Sequence, residues 1–154
     1  MASETVLRPA AVADLPQVRA LVLAAYAPYV PRIGRKPGPM DDDYAALIAA
    51  GQVHLLDAAG AIEGIVVLIP EADAMLLDNV AVAPDAQGRG LGLFLISHAE
   101  AVARAAGYRA LRLYTHERMT ENIALYRRLG FVETHRAEEK GFRRVYMTKP
   151  LPPG

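Results

Sequence analysis

The hydrophobic pattern begins with a helical stripe near the start of the chain. Leu15, Val18 and Val22 recur at the spacing that places side chains on one face of a helix. Asp14 comes directly before this stripe, where an N-cap is expected, and Pro16 lies in the first turn. The pattern therefore predicts a first helix that begins after Asp14.

Alternating and helical patterns follow one another along the rest of the chain. Strands are predicted at residues 5–8, 52–57, 61–70, 74–83, 110–115, 131–137 and 142–149. Further helices are predicted from the aspartates at 41–43 to Gly51, at residues 90–106 and at residues 120–129. Residues 28–40 hold four prolines and two glycines, which indicates a structured loop. The elements together predict a mixed α/β domain with a central sheet.

Composition narrows the class of protein. The 154 residues suit one domain spanning 1–154, and 53% of them are hydrophobic. Lys plus Arg equals Asp plus Glu at 17 each, so neither a general nucleic-acid binder nor a disordered chain is expected. The absence of cysteine excludes disulfides, thiolate metal sites and cysteine nucleophiles. The histidines at 54, 98 and 135 are scattered singly, so no metal site is predicted.

No targeting or membrane segment is visible in the sequence. The longest apolar runs, at residues 20–27 and 65–70, are far shorter than the roughly 20 residues that span a bilayer. The N-terminus also lacks a basic start followed by an apolar stretch. We therefore expect a cytoplasmic protein without a membrane partner.

A glycine-rich loop follows the strand predicted at 74–83. Gly88, Gly90 and Gly92 lie where this strand passes into a helix, and Arg89 adds a positive charge. Unpaired N–H groups at a helix N-terminus attract anions, and glycines let a phosphate approach them closely. The loop lacks the Gly-Lys-Ser/Thr of a Walker A motif, and residue 93 is Leu where a dinucleotide fingerprint needs glycine. The glycine loop is therefore predicted to bind a pyrophosphate, although it matches neither of these two motifs.

Two motifs resemble the GNAT superfamily of acyl-CoA-dependent N-acyltransferases. The first is Gln87-x-x-Gly90-x-Gly92 after a Val-Ala-Val strand, and the second is the segment 122–131, Asn-Ile-Ala-Leu-Tyr-Arg-Arg-Leu-Gly-Phe. The resemblance implies a mostly antiparallel central sheet flanked by helices and splayed between strands 76–83 and 110–115. It also implies an N-acetyltransferase that uses acetyl-CoA.

The resemblance further implies roles for individual residues. Backbone N–H groups of residues 88–92 would hold the CoA pyrophosphate, and the strand 80–82 would pair with the pantetheine arm. Asn122 would bond near that arm, and Tyr126 would lie beside the thioester sulfur. The implied cofactor contacts are Val80, Ala81, Val82, Gln87, Gly88, Arg89, Gly90, Leu91, Gly92, Asn122 and Tyr126.

Acetyl transfer to an amine requires an acid and a base. Tyr126 is a suitable general acid, because a phenol stays protonated at neutral pH. The alternative is that its ring only packs in the core. Some members of the superfamily carry a Glu four residues before the first valine of the strand motif, where this chain has Leu76. The remaining candidates for the base are Asp78, His116 and Glu117, or a chain of waters. The alternatives are a strand-end hydrogen-bond acceptor for Asp78 and an ordinary polar loop for the other two.

The segment 26–44 is expected to line the acceptor pocket, as the corresponding region does in the superfamily. Stacking surfaces come from the three tyrosines, Tyr26, Tyr29 and Tyr44. Arg32 and Arg35 offer charges for a carboxylate or phosphate. The alternative is a surface loop with aromatic anchors.

The leading hypothesis is transfer of an acetyl group to a primary amine of a small molecule by direct attack. Two alternatives are a non-catalytic acyl-CoA-binding sensor, which needs no acid at Tyr126, and a protein lysine or N-terminal acetyltransferase, which needs an open groove. The sequence leaves the acceptor, the acyl-chain preference and the existence of a homodimer open.

Overall fold

Seven strands form one sheet, in the order β1-β2-β3-β4-β5-β7-β6, in a computed structural model that describes residues 5–152. The strands are β1 (Thr5–Pro9), β2 (Val53–Ala58), β3 (Ala61–Pro70), β4 (Met75–Val82), β5 (Ala110–His116), β6 (Val132–Glu139) and β7 (Phe142–Pro150). The helices are α1 (Leu15–Tyr26), α2 (Val30–Ile33), α3 (Tyr44–Ala49), α4 (Leu91–Ala105) and α5 (Thr120–Arg128). Every predicted strand and helix is confirmed, and α2 lies within the segment that the sequence indicated as a structured loop.

The sheet is antiparallel except between β4 and β5, which run parallel and separate. Only Met75 with Leu111 and Leu76 with Arg112 are in register. Beyond these two pairs β4 and β5 diverge, whereas β4 stays paired with β3 as far as Val82. The predicted splay is therefore confirmed, and it opens a gap in the middle of the sheet.

Helices cover both faces of the sheet. On one face α4 buries Leu95, Ile96 and Ala99 against strand residues such as Leu113 and Met147. On the other face the buried residues come from α1, α3 and the sheet: Val18, Leu21, Val22, Tyr44, Ile48, Val53, Leu55, Ile65, Val67 and Ala81. The alternation of β5 buries Leu111 and Leu113 in the core on the α4 side of the sheet. The layers hold the two edges of the gap in fixed positions.

Asp14 is the N-cap residue of α1, as predicted, but its side chain makes no hydrogen bond to the N–H groups of that helix. Its carboxylate accepts hydrogen bonds from Arg8 at 2.8 and 2.9 Å and from the Ala11 N–H at 2.7 Å. Hydrogen bonding to the Arg8 guanidinium lowers the pKa of Asp14 to about 2. The residue ties β1 to the turn before α1. Asp43 is the aspartate whose side chain caps a helix, because it accepts from the Ala46 N–H of α3 at 3.1 Å.

Two of the histidines are not isolated, contrary to the prediction. His54 on β2 and His98 on α4 lie with Nδ1 and Nε2 3.1 Å apart, and burial lowers the pKa of both rings. One ring must donate its proton to the other, so the pair is stable only while at least one ring is neutral. His135 stacks on Tyr146 at a ring distance of 4.3 Å.

The histidine pair predicts a loss of stability in mild acid. A lowered pKa in the folded state means that the unfolded chain binds more protons, so the free energy of unfolding falls as the pH drops below about 6.5. His98→Gln keeps a hydrogen bond and cannot be protonated, so the difference in the free energy of unfolding between pH 8 and pH 5.5 should become smaller. Urea denaturation at the two pH values measures this, with His135→Gln as the matched control. An unchanged difference in His98→Gln would contradict the assignment.

Candidate active site

Two cavities meet in the gap between β4 and β5. The large cavity encloses about 370 Å³ and the glycine-loop cavity about 280 Å³. Five side chains border both of them: Tyr26, Val80, Met119, Asn122 and Tyr126. A molecule that fills one cavity therefore approaches a molecule that fills the other at these residues.

The glycine loop presents a row of free backbone donors to its cavity. Gly88 and Gly90 have φ of 84° and 79°, which a residue with a side chain adopts only with strain, and Gly90 begins α4. Within the described part of the chain, the N–H groups of residues 88–92 donate to no backbone or side-chain acceptor. Because these groups also lie at the positive end of a 15-residue helix, they are placed to attract an anion.

The edge of β4 that faces the gap carries further free backbone groups. The Ala83 N–H bonds to Glu63 O of β3 at 2.9 Å. Successive N–H groups point to opposite sides of a strand, so those of Val82 and Val80 face the gap. The Gln87 side chain already reaches the Val82 carbonyl there, at 3.2 Å. The strand is thus open to an extended ligand on this side.

Of three other predicted cofactor contacts, two border the glycine-loop cavity and one does not. Leu91 and Ala81 border the glycine-loop cavity, and Ala81 is buried in the core on the α1 side. Arg89 lies outside the lining, with its guanidinium 2.5 Å from Glu63 Oε2. Its charge is therefore balanced by a carboxylate and adds little to the anion site.

Tyr126 lies at the junction of the two cavities. It projects from α5, with its ring edge-on to Phe131 at 5.7 Å. Burial raises the pKa of its phenol to about 12, so the hydroxyl remains protonated at neutral pH. Asn122, one turn earlier on the same helix, borders both cavities too.

Two carboxylates face each other in the large cavity. Asp78 of β4 lies against Asp42, which precedes α3, and Tyr114 Oη donates to Asp78 Oδ1 at 3.3 Å. Burial and the neighbouring Asp78 charge raise the pKa of Asp42 to about 6, and burial also raises the pKa of Asp78. The pair can hold one proton between them near neutral pH.

The other two candidates for the base are placed less favourably. His116 borders the large cavity, but its Nδ1 accepts the Arg118 N–H at 3.1 Å, which leaves the proton on Nε2. Burial further lowers the pKa of this imidazole. Glu117 lies outside the lining and pairs with Arg143 at 3.4 Å and Arg136 at 3.8 Å. Geometry therefore favours Asp78.

The three tyrosines of the segment 26–44 occupy different places. Tyr26 borders both cavities and donates to Asn79 Oδ1. Tyr44 is 2% exposed and bonded to Pro39 O at 2.5 Å, so it supports the cavity from the core and offers no stacking surface. Tyr29 borders the glycine-loop cavity.

The two arginines of this segment also differ. Arg32 lies outside the large cavity and bonds to Glu121 at 2.9 Å and to Arg118 O at 2.8 Å. Arg35 borders the large cavity with its guanidinium 4.2 Å from the centre of the Phe142 ring. Only Arg35 is placed to meet a ligand in this cavity.

Residues 49–133, more than half of the chain, match the family described as the acetyltransferase (GNAT) domain. The chain belongs to this family. The GNAT fold accounts for the splayed sheet and the glycine loop, and membership makes the protein an acetyl-CoA-dependent acetyltransferase. The free N–H groups of residues 88–92 and the open edge of β4 fit the pyrophosphate and the pantetheine amides of that cofactor.

Solved structures of other GNAT proteins superimpose on most of the chain. The PaiA N-acetyltransferase from Thermoplasma acidophilum, in complex with coenzyme A, has a TM-score of 0.79 and 16% identity over 96% of this chain and 99% of that chain. The ribosomal-protein-S18-alanine N-acetyltransferase from Escherichia coli has a TM-score of 0.75 and 23% identity over 96% and 94%. No curated protein sequence matches this GNAT chain.

The N-acetylglutamate synthase from Neisseria gonorrhoeae, complexed with coenzyme A and N-acetyl-glutamate, also shares the fold. Its TM-score is 0.74 at 20% identity, over 99% of this GNAT chain and 36% of that longer chain. At these identities the likeness establishes the architecture and leaves the acceptor to be argued from the cavity itself.

Sequence reasoning missed much of the large cavity of this GNAT protein. The residues it did not single out are Asp42, Asn79, Tyr114, Lys140, Phe142 and Arg144. The sequence pattern at 41–43 indicates only negative charge at the start of a helix, and Asn79 and Tyr114 lie within strands whose pattern does not report what faces them. Lys140, Phe142 and Arg144 carry no local signal, because the β6–β7 turn and β7 reach the cavity only through strand pairing with β5.

Two absences concern the described residues alone. Between residues 5 and 152, no cluster of three His, Cys, Asp or Glu side chains is placed to hold a metal ion. Over the same residues, no helix is both long and apolar enough to cross a bilayer.

Proposed function

We propose that this GNAT protein, acting as a single domain over residues 1–154, transfers the acetyl group of acetyl-CoA to a primary amine of a small molecule by direct attack. The large cavity carries this proposal, because it joins the glycine-loop cavity at Tyr126 and has room for a small ligand. The segment 33–42 and the β6–β7 turn contribute residues to the lining of this cavity. Folded segments at these positions favour a small acceptor over a peptide, which would need an open groove.

The names of the neighbours show that the fold serves both kinds of acceptor. One acts on an alanine of a ribosomal protein, and another is a synthase of N-acetylglutamate. The covered cavity of this chain supports the small-molecule class.

The cofactor would lie along the open edge of β4 and end at the glycine loop. The N–H groups of residues 88–92 are the donors for the pyrophosphate, and Val80 and Val82 are the backbone partners of the pantetheine arm. The Gln87 side chain would break its hydrogen bond to the Val82 carbonyl, which would then accept from that arm. Bound acetyl-CoA supplies the activated acyl group, and its thioester would lie between Tyr126 and Asp78.

Asp78 is the proposed base. An alkyl ammonium group has a pKa near 10.4, so it must lose a proton before its nitrogen can attack. A buried carboxylate with a raised pKa accepts that proton more readily than an exposed one. The Tyr114 hydroxyl holds Asp78 in place through its 3.3 Å hydrogen bond.

Tyr126 is the proposed acid. The N–C bond forms as the C–S bond breaks, and the Tyr126 phenol gives its proton to the departing sulfur. A second proton leaves the nitrogen as the amide forms and restores the phenol. The first proton passes from Asp78 to solvent, so the reaction releases a thiol, an N-acetyl product and one proton.

Tyr126→Phe should lower kcat by about a hundredfold and leave CoA affinity nearly unchanged. The substitution removes one hydroxyl and keeps the ring that packs on Phe131. Single-turnover kinetics measures the chemical step, and Tyr108→Phe, on the loop after α4 and outside both cavities, is the matched control. An unchanged kcat in Tyr126→Phe would show that Tyr126 packs in the core and does not act as the acid.

A thiol-release assay with acetyl-CoA tests the whole proposal. The panel should contain small primary amines, peptides with free N-termini and lysine-containing peptides. Release with small amines alone supports the proposal. Release that requires a peptide favours protein acetylation, and CoA binding without release from any acceptor favours the sensor alternative.

A further inference from the structure

Charges of both signs border the large cavity. Asp42 and Asp78 lie together on the α3 and β4 side, and Asp78 is adjacent to Val80 at the junction with the glycine-loop cavity. Arg35 comes from the loop after α2, and Lys140 comes from the β6–β7 turn. The cavity therefore presents carboxylates and cations to one ligand, and Lys140 is near enough to Asp42 for its charge to lower the pKa of that carboxyl.

Arg35 and Lys140 border the cavity without a carboxylate partner. Among residues 5–152, neither has a carboxylate within ion-pair distance. Nine cations do have one: Arg8, Arg32, Arg89, Arg112, Arg127, Arg136, Arg143, Arg144 and Lys149. The cations that also lack one lie outside the cavity lining: Arg19, Lys36, Arg104, Arg109, Arg118 and Arg128. Arg144 also borders the cavity, but its guanidinium already pairs with the Glu139 carboxylate at 3.0 Å. Asp41 lies on the same border but pairs with neither free cation.

Arg35 is held in position although it lacks an anionic partner. Its guanidinium stacks on the Phe142 ring at 4.2 Å and packs against Gly141 in the β6–β7 turn. Stacking of this kind fixes the plane of the guanidinium and leaves its N–H donors free at the edge. A planar, fixed guanidinium binds a carboxylate or phosphate through two parallel hydrogen bonds.

We propose that the acceptor carries both a primary ammonium group and an anionic group. The ammonium would bind between Asp42 and Asp78, and a carboxylate or phosphate would bind Arg35 and Lys140. This inference rests on the proposed function, since it names the class of amine that the same cavity receives. The cavity volume of about 370 Å³ limits the acceptor to the size of an amino acid or a small aminoalkyl phosphate.

Other small amines fit this arrangement less well. A diamine would place its second positive charge near Arg35 or Lys140, where like charges repel. A simple alkylamine would cover both cations without pairing them, and an unpaired charge removed from water is costly. Only an acceptor with both charges pairs the two carboxylates and the two unpaired cations together.

Matched pairs of acceptors test the proposal. The kcat/KM for thiol release should be compared between amino acids and their carboxamides, between an aminoalkyl phosphate and the corresponding amino alcohol, and against diamines of similar length. The wild-type enzyme should prefer the anionic member of a pair by about ten- to a hundredfold, as expected for one charged hydrogen-bonded contact. Whichever pair shows the preference identifies the anionic group as carboxylate or phosphate.

Substitution of the two cations tests whether they cause the preference for anionic acceptors. Arg35→Gln combined with Lys140→Gln should bring the ratio of anionic to neutral acceptor close to one, through a rise in KM for the anionic member. Lys36→Gln is the matched control, because it removes the neighbouring cation that lies outside the cavity lining. Calorimetric titration with CoA confirms that each variant is folded.

Diamines or neutral amines that outperform the anionic acceptors would overturn this inference and leave the proposed function standing. An anionic preference that survives in the double variant would overturn the assignment to Arg35 and Lys140. No thiol release with any acceptor would overturn the proposed function, and this inference with it.

Discussion

Gly92→Asp should weaken CoA binding about a hundredfold while the protein stays folded. Gly92 borders the glycine-loop cavity in the first turn of α4, and a Cβ there meets no atom within 4 Å. Two unit charges 4 Å apart repel by about 1 kcal/mol in water and about 4 kcal/mol near a protein surface, so the added carboxylate opposes the pyrophosphate strongly. The same carboxylate stabilises the helix, because negative charge is favourable at an N-terminus.

Gly92→Ala is the matched control for this experiment. Alanine adds volume without charge and should raise the free energy of unfolding by up to about 1 kcal/mol, since glycine disfavours helix. Isothermal titration with CoA and thermal unfolding should be measured for both variants. Equal CoA affinity in Gly92→Asp and the wild type would remove the glycine loop as the pyrophosphate site.

Asp78→Asn should lower kcat by about 10²–10³-fold, because an amide cannot accept the proton of the ammonium group. CoA affinity should change little, since Asp78 borders the large cavity and not the glycine-loop cavity. Asp73→Asn, in the exposed turn before β4, is the control. Full kcat in Asp78→Asn under single-turnover conditions would exclude Asp78 as the base.

The pH profile tests the carboxylate pair in a second way. The base must be ionised, so wild-type kcat/KM should fall as the pH drops through the raised pKa values of the pair, about 6 for Asp42. Asp42→Asn replaces the second charge by a neutral amide, so the acid limb should move to lower pH. An acid limb that does not move would show that Asp42 does not act on the base.

Local patterns were sufficient for the elements and for the cofactor side of the site. The helical stripe of α1 and the strand predicted at 110–115 depend on neighbours a few residues apart, and the structure confirms both. The glycine loop is equally local, because strand, turn and helix follow one another within residues 75–105. The motif in this loop also led to the family and, through it, to the expectation of a splayed sheet.

Contacts between distant segments were decided by the tertiary structure alone. Asp14 has the residue type and position of a cap, yet Arg8 competes for its carboxylate with a charged hydrogen bond, which is stronger than a neutral one. His54 and His98 meet only because α4 packs across β2 and β3. Arg32 likewise turns to Glu121, so a charge that the sequence offers to a ligand is used within the protein.

The acceptor side of the site shows the same division. Tyr26, Arg35 and Asp78 have residue types that suggest a pocket, but their partners Asn79, Phe142 and Asp42 come from other elements. Periodicity reports which face of an element is buried and is silent on what faces it across a gap. The sequence by itself therefore determined the elements, the glycine loop and the family. The pairing order of the sheet determined which charges share the large cavity, because β7 inserts between β5 and β6 and brings the β6–β7 turn to its border.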